Sequence, residues 1–332
     1  MPLSVAPAES RAAVVHNPMK GDVKRLRKAV TAAEKASGWP STIWLETSAD
    51  DAGQAATHDA LARGATVVIA AGGDGTVRAV AEALRDTGVP IALIPVGTGN
   101  LLARNLGLTL TNIEEAALTA FTGGDHRIDL GIADITREDG EHEEYVFLVV
   151  AGVGLDAKMI SLTNPRLKKA VGWLAYVDAG VRAIPEIKPI KMRYSRDGSV
   201  ERATSAHTVL VGNCGLLPGG ILLMPDAKPD DGILDIAVLR PSGPLGWLKV
   251  WNRVTWENGV LRKSALGRSI IDLSRDVRDV TYLTGKDLRL TLDAPQQFQL
   301  DGDEFGTAKS VRAWVDAGAL DVKVPVTTAP GA

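Results

Sequence analysis

Between Ala12 and Phe121, short and wholly apolar runs alternate with amphipathic stretches. The apolar runs are Ala12–Val15, Ile43–Leu45, Val67–Ala71 and Ile91–Val96, each bounded by turn-forming residues. Runs this short, with no polar residue alternating in them, predict strands buried on both faces. Apolar residues recur at helical spacing from Val23 to about Ser37 and in Asp50–Arg63, Val77–Leu84, Leu101–Leu106 and Ile113–Phe121. Strand–helix alternation predicts an α/β domain, a parallel sheet with helices on both faces. Ligands of such sheets sit beyond the carboxyl ends of the strands.

After Asp125 the pattern changes to short strand candidates in succession. They are Arg127–Ile135, Tyr145–Gly152, Ile190–Tyr194, His207–Gly212, Leu234–Leu239, Val280–Thr284, Asp287–Leu292, Gln297–Leu300, Val311–Val315 and Ala319–Val324. Gly, Asp and Pro punctuate them, which predicts an antiparallel sandwich or barrel. Helical insertions are expected near 165–184 and 243–257. The reading is therefore an α/β domain over 1–126, an antiparallel β domain over 127–326, and a frayed tail over 327–332.

A chain of 332 residues suits two domains at roughly 100–200 residues each. Its net charge of −3 gives no sign of a nucleic-acid partner. Cys214 is the single cysteine, so no internal disulfide forms and a reducing, cytoplasmic compartment fits. Met1–Arg11 lacks the basic stretch and apolar core of a signal peptide. No apolar run approaches the ~20 residues of a membrane span, so membrane contact is expected to be peripheral. Trp is over-represented, with seven against four Phe and four Tyr. Arg166, Lys168, Lys169, Trp173 and Tyr176 share one helical segment, and Trp247, Trp251 and Trp256 share another. Such segments either rest on a membrane surface or turn a Trp stripe to the core.

The chemistry concentrates in glycine turns. Gly72-Gly73-Asp74-Gly75-Thr76 lies between an apolar strand and a helical stretch. Glycines let main-chain N–H groups approach an anion, and a helix N-terminus adds partial positive charge. Asp74 repels phosphate unless it orients a metal or a hydroxyl; its plain alternative is a helix cap. Gly97-Thr98-Gly99-Asn100 follows the next strand, so the two turns are expected to meet at one sheet edge. Asn17-Pro18-Met19-Lys20-Gly21 is a third turn there, in which Lys20 pairs with phosphate or is merely solvated. Met224–Ile233 carries Asp226, Asp230 and Asp231, donors that suit Mg²⁺ or an acidic Asp-Gly turn. Leu300-Asp301-Gly302-Asp303-Glu304 ends a strand, where a carboxylate can serve as general base.

Together these segments resemble the diacylglycerol kinase catalytic-domain superfamily, lipid kinases that include bacterial diacylglycerol kinases and sphingosine kinases. The resemblance rests on Asn17-Pro18 with Gly21, Gly72–Thr76, Pro95–Asn100, Gly219-Gly220 with Pro225, Asp230-Asp231-Gly232 and Leu300–Asp303. It covers nearly the whole chain. Gly-Gly-Asp-Gly alone is shared with NAD kinases and 6-phosphofructokinases; the later two Asp-Gly elements select lipid kinases. The resemblance implies an N-terminal α/β nucleotide-binding domain over 1–126 and a C-terminal antiparallel β-sandwich domain over 127–326, with ATP held in the cleft between them. It implies contacts to ATP from Asn17, Pro18, Met19, Lys20 and Gly21, from Thr47 or Ser48, from Gly72, Gly73, Asp74, Gly75, Thr76, Val77, Arg78 and Ala79, and from Thr98, Gly99 and Asn100. It implies a structural Mg²⁺ at Asp231 with the carbonyls of Lys228 and Ile233. It also implies a proton acceptor in the Asp301–Glu304 turn, where Asp301, Asp303 and Glu304 compete. Arg78-Ala79 stands where many members carry Asn-Glu.

The expected reaction is transfer of the ATP γ-phosphoryl group to a lipid hydroxyl at a membrane surface, foremost diacylglycerol to phosphatidic acid, with Asp74, Asp301 and Asp303 as catalytic candidates. A soluble NAD or sugar-phosphate kinase is one rival, and a catalytically silent nucleotide or lipid sensor is the other. The oligomeric state is open, a homodimer included.

Overall fold

The computed structural model describes residues 10–48, 50–154, 188–217, 221–241, 246 and 279–326. Both expected helical insertions lie outside the described residues except at Gly246. The chain forms two compact units, one of residues 1–130 with 317–332 and the other of residues 131–316.

The first unit runs β1 (Ala12–His16), α1 (Val23–Ala36), β2 (Ile43–Glu46), α2 (Gln54–Ala62), β3 (Val67–Gly72), α3 (Asp74–Leu84), β4 (Ile91–Pro95), α4 (Leu101–Asn105) and α5 (Ile113–Thr122). Its strands are parallel in the order β2-β1-β3-β4. Val14, Val67, Ile69, Ala92 and Ile94 pack against Leu26, Ala29 and Val30 of α1 and Ala117, Ala120 and Phe121 of α5. The intervening residues Ala13, Val15, Val68 and Ala70 point to the opposite face, as strand periodicity requires. There, Gly53 before α2 lies against Val15 and Val80. Helix starts follow from capping. Asp22 accepts the N–H groups of Lys24 and Arg25 and starts α1. Asp51 accepts those of Gln54 and Ala55, so α2 begins later than the pattern suggested. The first turn of α3 is made by the glycine turn itself, because Val77 N–H donates to Gly73 O at 3.0 Å.

The second unit contains the later part of β5 (Gly124–Thr136) and most of β16 (Asp303–Val324). Between them come β6 (His142–Phe147), β7 (Val150–Val153), β8 (Ile190–Arg196), β9 (Arg202–Ala206), β10 (Thr208–Gly212), β11 (Leu216–Leu217), β12 (Ile221–Leu222), β13 (Leu234–Leu239), β14 (Val280–Gly285) and β15 (Asp287–Leu300). One antiparallel series is β14-β13-β10-β7-β15; another is β9-β8-β15-β16. Strand β15 belongs to both, meeting β8 through Leu288–Leu292 and β7 through Phe298–Leu300. Its ladder to β16 is irregular between Thr291 and Gln296. Pro295 lies in that interval and has no N–H to donate, so one strand reads in sequence as two. Val153, Val211, Ile236, Leu290, Phe298 and Val311 are part of the shared apolar core.

The expected domain boundary followed residue 126, but the first unit extends to Leu130 and regains the chain at Ala317. Val322 pairs in parallel with Ile91. Arg127 pairs with Asp321 at 3.1 Å, and Lys323 with Asp125 at 2.8 Å.

Candidate active site

Four loops at the carboxyl ends of β1–β4 supply the sequence-predicted nucleotide residues. Asn17 N–H donates to Ala71 O, and Asn17 Oδ1 accepts Met19 N–H at 2.9 Å, which folds Asn17–Gly21 into a tight turn. Gly21 is at φ 74°, and a Cβ there would lie 2.8 Å from Val96 Cγ1. A Cβ on Gly97 would lie 2.7 Å from Gly73 Cα, so two main chains touch where only glycine fits. Lys20 Nζ lies 3.2 Å from the point a Cβ on Gly73 would occupy. Thr47 is buried, its N–H donating to His16 O at 2.9 Å. The turns predicted to meet at one edge do meet.

Asp74 makes that meeting rigid. Its Oδ2 accepts Asn100 N–H at 3.0 Å, and its Oδ1 accepts Leu101 N–H at 2.5 Å. Asn100 is in the left-handed region at φ 48°, with Nδ2 donating to Gly97 O at 2.9 Å. Arg104, which motif reading passed over, donates from Nε to Gly99 O at 2.7 Å. Its signal was its place on the first turn of the helix after Asn100. Gly73 caps α3 without a side chain, which suits an anion at the first-turn N–H groups. Thr98 is exposed beside this surface, whereas Thr76, Arg78 and Ala79 are buried on α3.

His16 closes β1 beneath these turns and is 2% exposed. It meets Trp44 edge-on with ring centroids 5.7 Å apart, and its Nε2 is 3.9 Å from Glu46. Burial lowers its pKa below 6.5; Glu46 opposes the shift and Arg27 adds to it.

The other predicted residues belong to the second unit. Asp231 is exposed, and its Oδ1 accepts Ile233 N–H at 3.1 Å across Gly232. Lys228 is also exposed. Asp235, at the start of β13, is pushed up to about 6, first by burial and then by Asp231 and Asp226. That field of negative charge fits a divalent cation held by one carboxylate, main-chain carbonyls and water. Among the described residues no three acidic, His or Cys side chains converge on a metal position.

The Leu300–Asp303 turn separates two of the competing carboxylates. Asp301 is 5% exposed. Its Oδ2 accepts Leu148 N–H at 2.9 Å, and its Oδ1 accepts Val149 and Val150 N–H at 2.8 and 3.0 Å. These bonds interrupt the strand expected over Tyr145–Gly152, so β6 and β7 are separate. Asn213 Nδ2 and Cys214 Sγ hold Leu148 O from the other side. Asp303 and Glu304 are exposed.

Residues 11–133 match the diacylglycerol kinase catalytic domain, and residues 149–324, over half of the chain, match the YegS C-terminal NAD kinase beta sandwich-like domain. The chain belongs to the diacylglycerol kinase-like lipid kinase family. Within that family, a probable YegS-like lipid kinase of Pseudomonas fluorescens is 35% identical over 225 residues, covering 67% of this chain and 71% of the relative. The diacylglycerol kinase of Bacillus subtilis is 28% identical over 301 residues, 89% of this chain and 90% of the relative. A Synechocystis protein is 30% identical over 246 residues, covering 74% of this chain and 52% of the relative, so this chain spans about half of that relative's length. A crystal structure of a Bacillus anthracis diacylglycerol kinase shares the fold, with a TM-score of 0.68, 22% identity, and 97% and 98% of the two chains covered. The α/β domain and the sandwich-like domain expected from sequence are those of this family.

Proposed function

We propose that the protein transfers the γ-phosphoryl group of ATP to a lipid hydroxyl, with diacylglycerol as the acceptor of choice. The observation that carries this reading is the convergence of three glycine turns on the open N-terminus of α3, in a lipid kinase family. Phosphoryl transfer asks mainly for positioning and charge neutralisation. Main-chain N–H groups at Gly73–Thr76, with Lys20 beside them, would take the phosphates. Thr98 and Asn17–Gly21 would complete the nucleotide contacts. Asp74 would hold the two turns at a fixed separation. Mg²⁺, when bound, would supply neutralisation of phosphate charge, and the Asp231 carboxylate with the carbonyls of Lys228 and Ile233 would hold a structural Mg²⁺ that stabilises the sandwich.

Asp303 is the proton acceptor in this reading. Protonating Asp301 would remove the charge that strengthens its bonds to the Leu148, Val149 and Val150 N–H groups. Asp303 projects from the same turn and is exposed. The acceptor comes from a bilayer surface; no described helix is long and apolar enough to cross a membrane.

The test is transfer from γ-labelled ATP with Mg²⁺ to diacylglycerol in mixed micelles, to a total lipid extract, and to NAD. Label in phosphatidic acid supports the reading, and label in another lipid moves the acceptor. Label only in NADP would replace the lipid by a soluble substrate, and intact ATP binding without transfer to any acceptor would refute turnover.

A further inference from the structure

The hairpin that carries Asp303 is held at its base by a residue from outside it. Leu300 pairs with Asp303, and Asp301 and Gly302 turn the chain at φ 50° and 91°. Positive φ at both central positions matches the right-handed twist of the strands. Below the turn the ladder slips. Gln299 faces Glu304 but Gln297 faces Thr307, so β16 carries an extra residue at Phe305-Gly306. Gly306 takes φ 71°. Such a bulge disrupts the local ladder.

Arg137 meets the carbonyls on either side of it. Its Nη1 donates to Phe305 O at 2.6 Å and to Thr307 O at 2.8 Å. The guanidinium is itself fixed by Glu143, which accepts from Nε at 2.6 Å and from Nη2. Tyr145, two residues along β6, packs edge-on against Phe305 with centroids 4.7 Å apart. The turn is thus anchored on one side by Asp301, gripping Leu148–Val150, and on the other by Arg137. Asp303 and Glu304 lie between the two anchors.

We propose that Arg137 is a positioning residue for phosphoryl transfer: by holding the Phe305 and Thr307 carbonyls it sets where Asp303 presents its carboxylate. This rests on Asp303 being the proton acceptor. A general base must lie within hydrogen-bond reach of its proton, and a misplacement of about 1 Å costs ~10²-fold in rate. Lysine is a poor substitute, because one ammonium does not reproduce the planar fork that serves two carbonyls and Glu143 together.

The test uses the full chain with Arg137→Gln, Arg137→Lys and the milder Glu143→Gln, beside Asp303→Asn. Amide hydrogen exchange over Asp303–Thr307, kcat and KM for ATP, the pH dependence of kcat and the melting temperature are read for each. Arg137→Gln is expected to lose protection over Asp303–Thr307 and at least about tenfold in kcat. Its KM for ATP should stay within about twofold, and the acidic limb of its pH profile should move. Glu143→Gln should act in the same direction and more weakly. Unchanged protection, a kcat loss no larger than the loss of folded protein, or full turnover in Arg137→Lys would overturn the role. Turnover lost in Asp303→Asn but kept in Arg137→Gln overturns Arg137 alone; turnover kept in Asp303→Asn overturns the base assignment beneath it.

Discussion

Asp74 and Leu101 are joined by a 2.5 Å hydrogen bond from the Leu101 N–H to Asp74 Oδ1, so a carboxylate at the start of α3 caps α4, 27 residues further on. Charge-assisted bonds of this kind are worth about 1.5–3 kcal/mol each. Asp74→Asn keeps the shape but loses the charge and turns an NH₂ group toward main-chain N–H donors. We expect destabilisation of about 2 kcal/mol and at least tenfold weaker ATP binding. Calorimetric titration with ATP beside a urea melt checks both, and unaltered affinity would show that the tie does not shape the site.

Gly97 tests the meeting of the turns without touching a charge. Its substitution by Ala places a methyl group 2.7 Å from Gly73 Cα, closer than two carbons pack. The turns must separate, and ATP binding should be lost while the circular dichroism spectrum is kept. An ATP-binding Gly97→Ala protein would show that the contact does not form the site.

Asp301 and Asp303 should fail in opposite ways. Asp301→Asn leaves buried N–H groups poorly matched and should cost about 3 kcal/mol of stability. Asp303→Asn is exposed and should change stability by less than about 0.5 kcal/mol while lowering kcat by roughly 10²–10⁴-fold. Chemical denaturation and lipid phosphorylation on both variants decide it; the reverse pattern would make Asp301 the base.

His16 gives stability a pH dependence. Its folded pKa lies below the ordinary 6.5, chiefly through burial. The unfolded chain therefore takes up the proton first as pH falls. His16 contributes its full share above 6.5 and loses it as pH drops from there toward the folded value. Melting temperatures taken across roughly one pH unit either side of that value should fall on the acid side. His16→Phe should flatten that fall, and an unaltered slope would assign it to other groups.

Mg²⁺ should raise the melting temperature by mass action, because only the folded chain assembles the Asp231 turn. Asp231→Asn should remove that increment. An equal increment in the variant would place the ion elsewhere.

The parallel strands were legible to within a residue or two because runs such as Val67–Ala71 are apolar throughout and end at glycine. Leu234–Leu239 was legible because a single polar residue, Asp235, interrupts an otherwise apolar run after Gly232. The break at Leu148-Val149 was not, because the carboxylate that takes those N–H groups lies 152 or more positions away. Arg202–Ala206 was missed because its Arg, Thr and Ser residues carry no apolar alternation. In the site, glycine spacing revealed where the turns lie, since glycine marks close backbone approach directly. The duties of Asp74 and Asp301 were hidden: each bonds to main chain, which has no residue identity to read. Arg137 was hidden for the same reason, its partners being two carbonyls 168 and 170 residues on.

The return of β16 to the first unit has a consequence during synthesis. The first unit begins to emerge before the second, yet Asp321, Val322 and Lys323 complete it. A nascent chain must therefore carry β4 without its last parallel neighbour, and Asp125 and Arg127 without their partners, until residues 131–316 have left the ribosome. An uncovered strand edge invites pairing with other chains. The first unit is thus begun earliest and closed last, and its premature release by proteolysis or truncation near Leu130 would yield a fragment that aggregates.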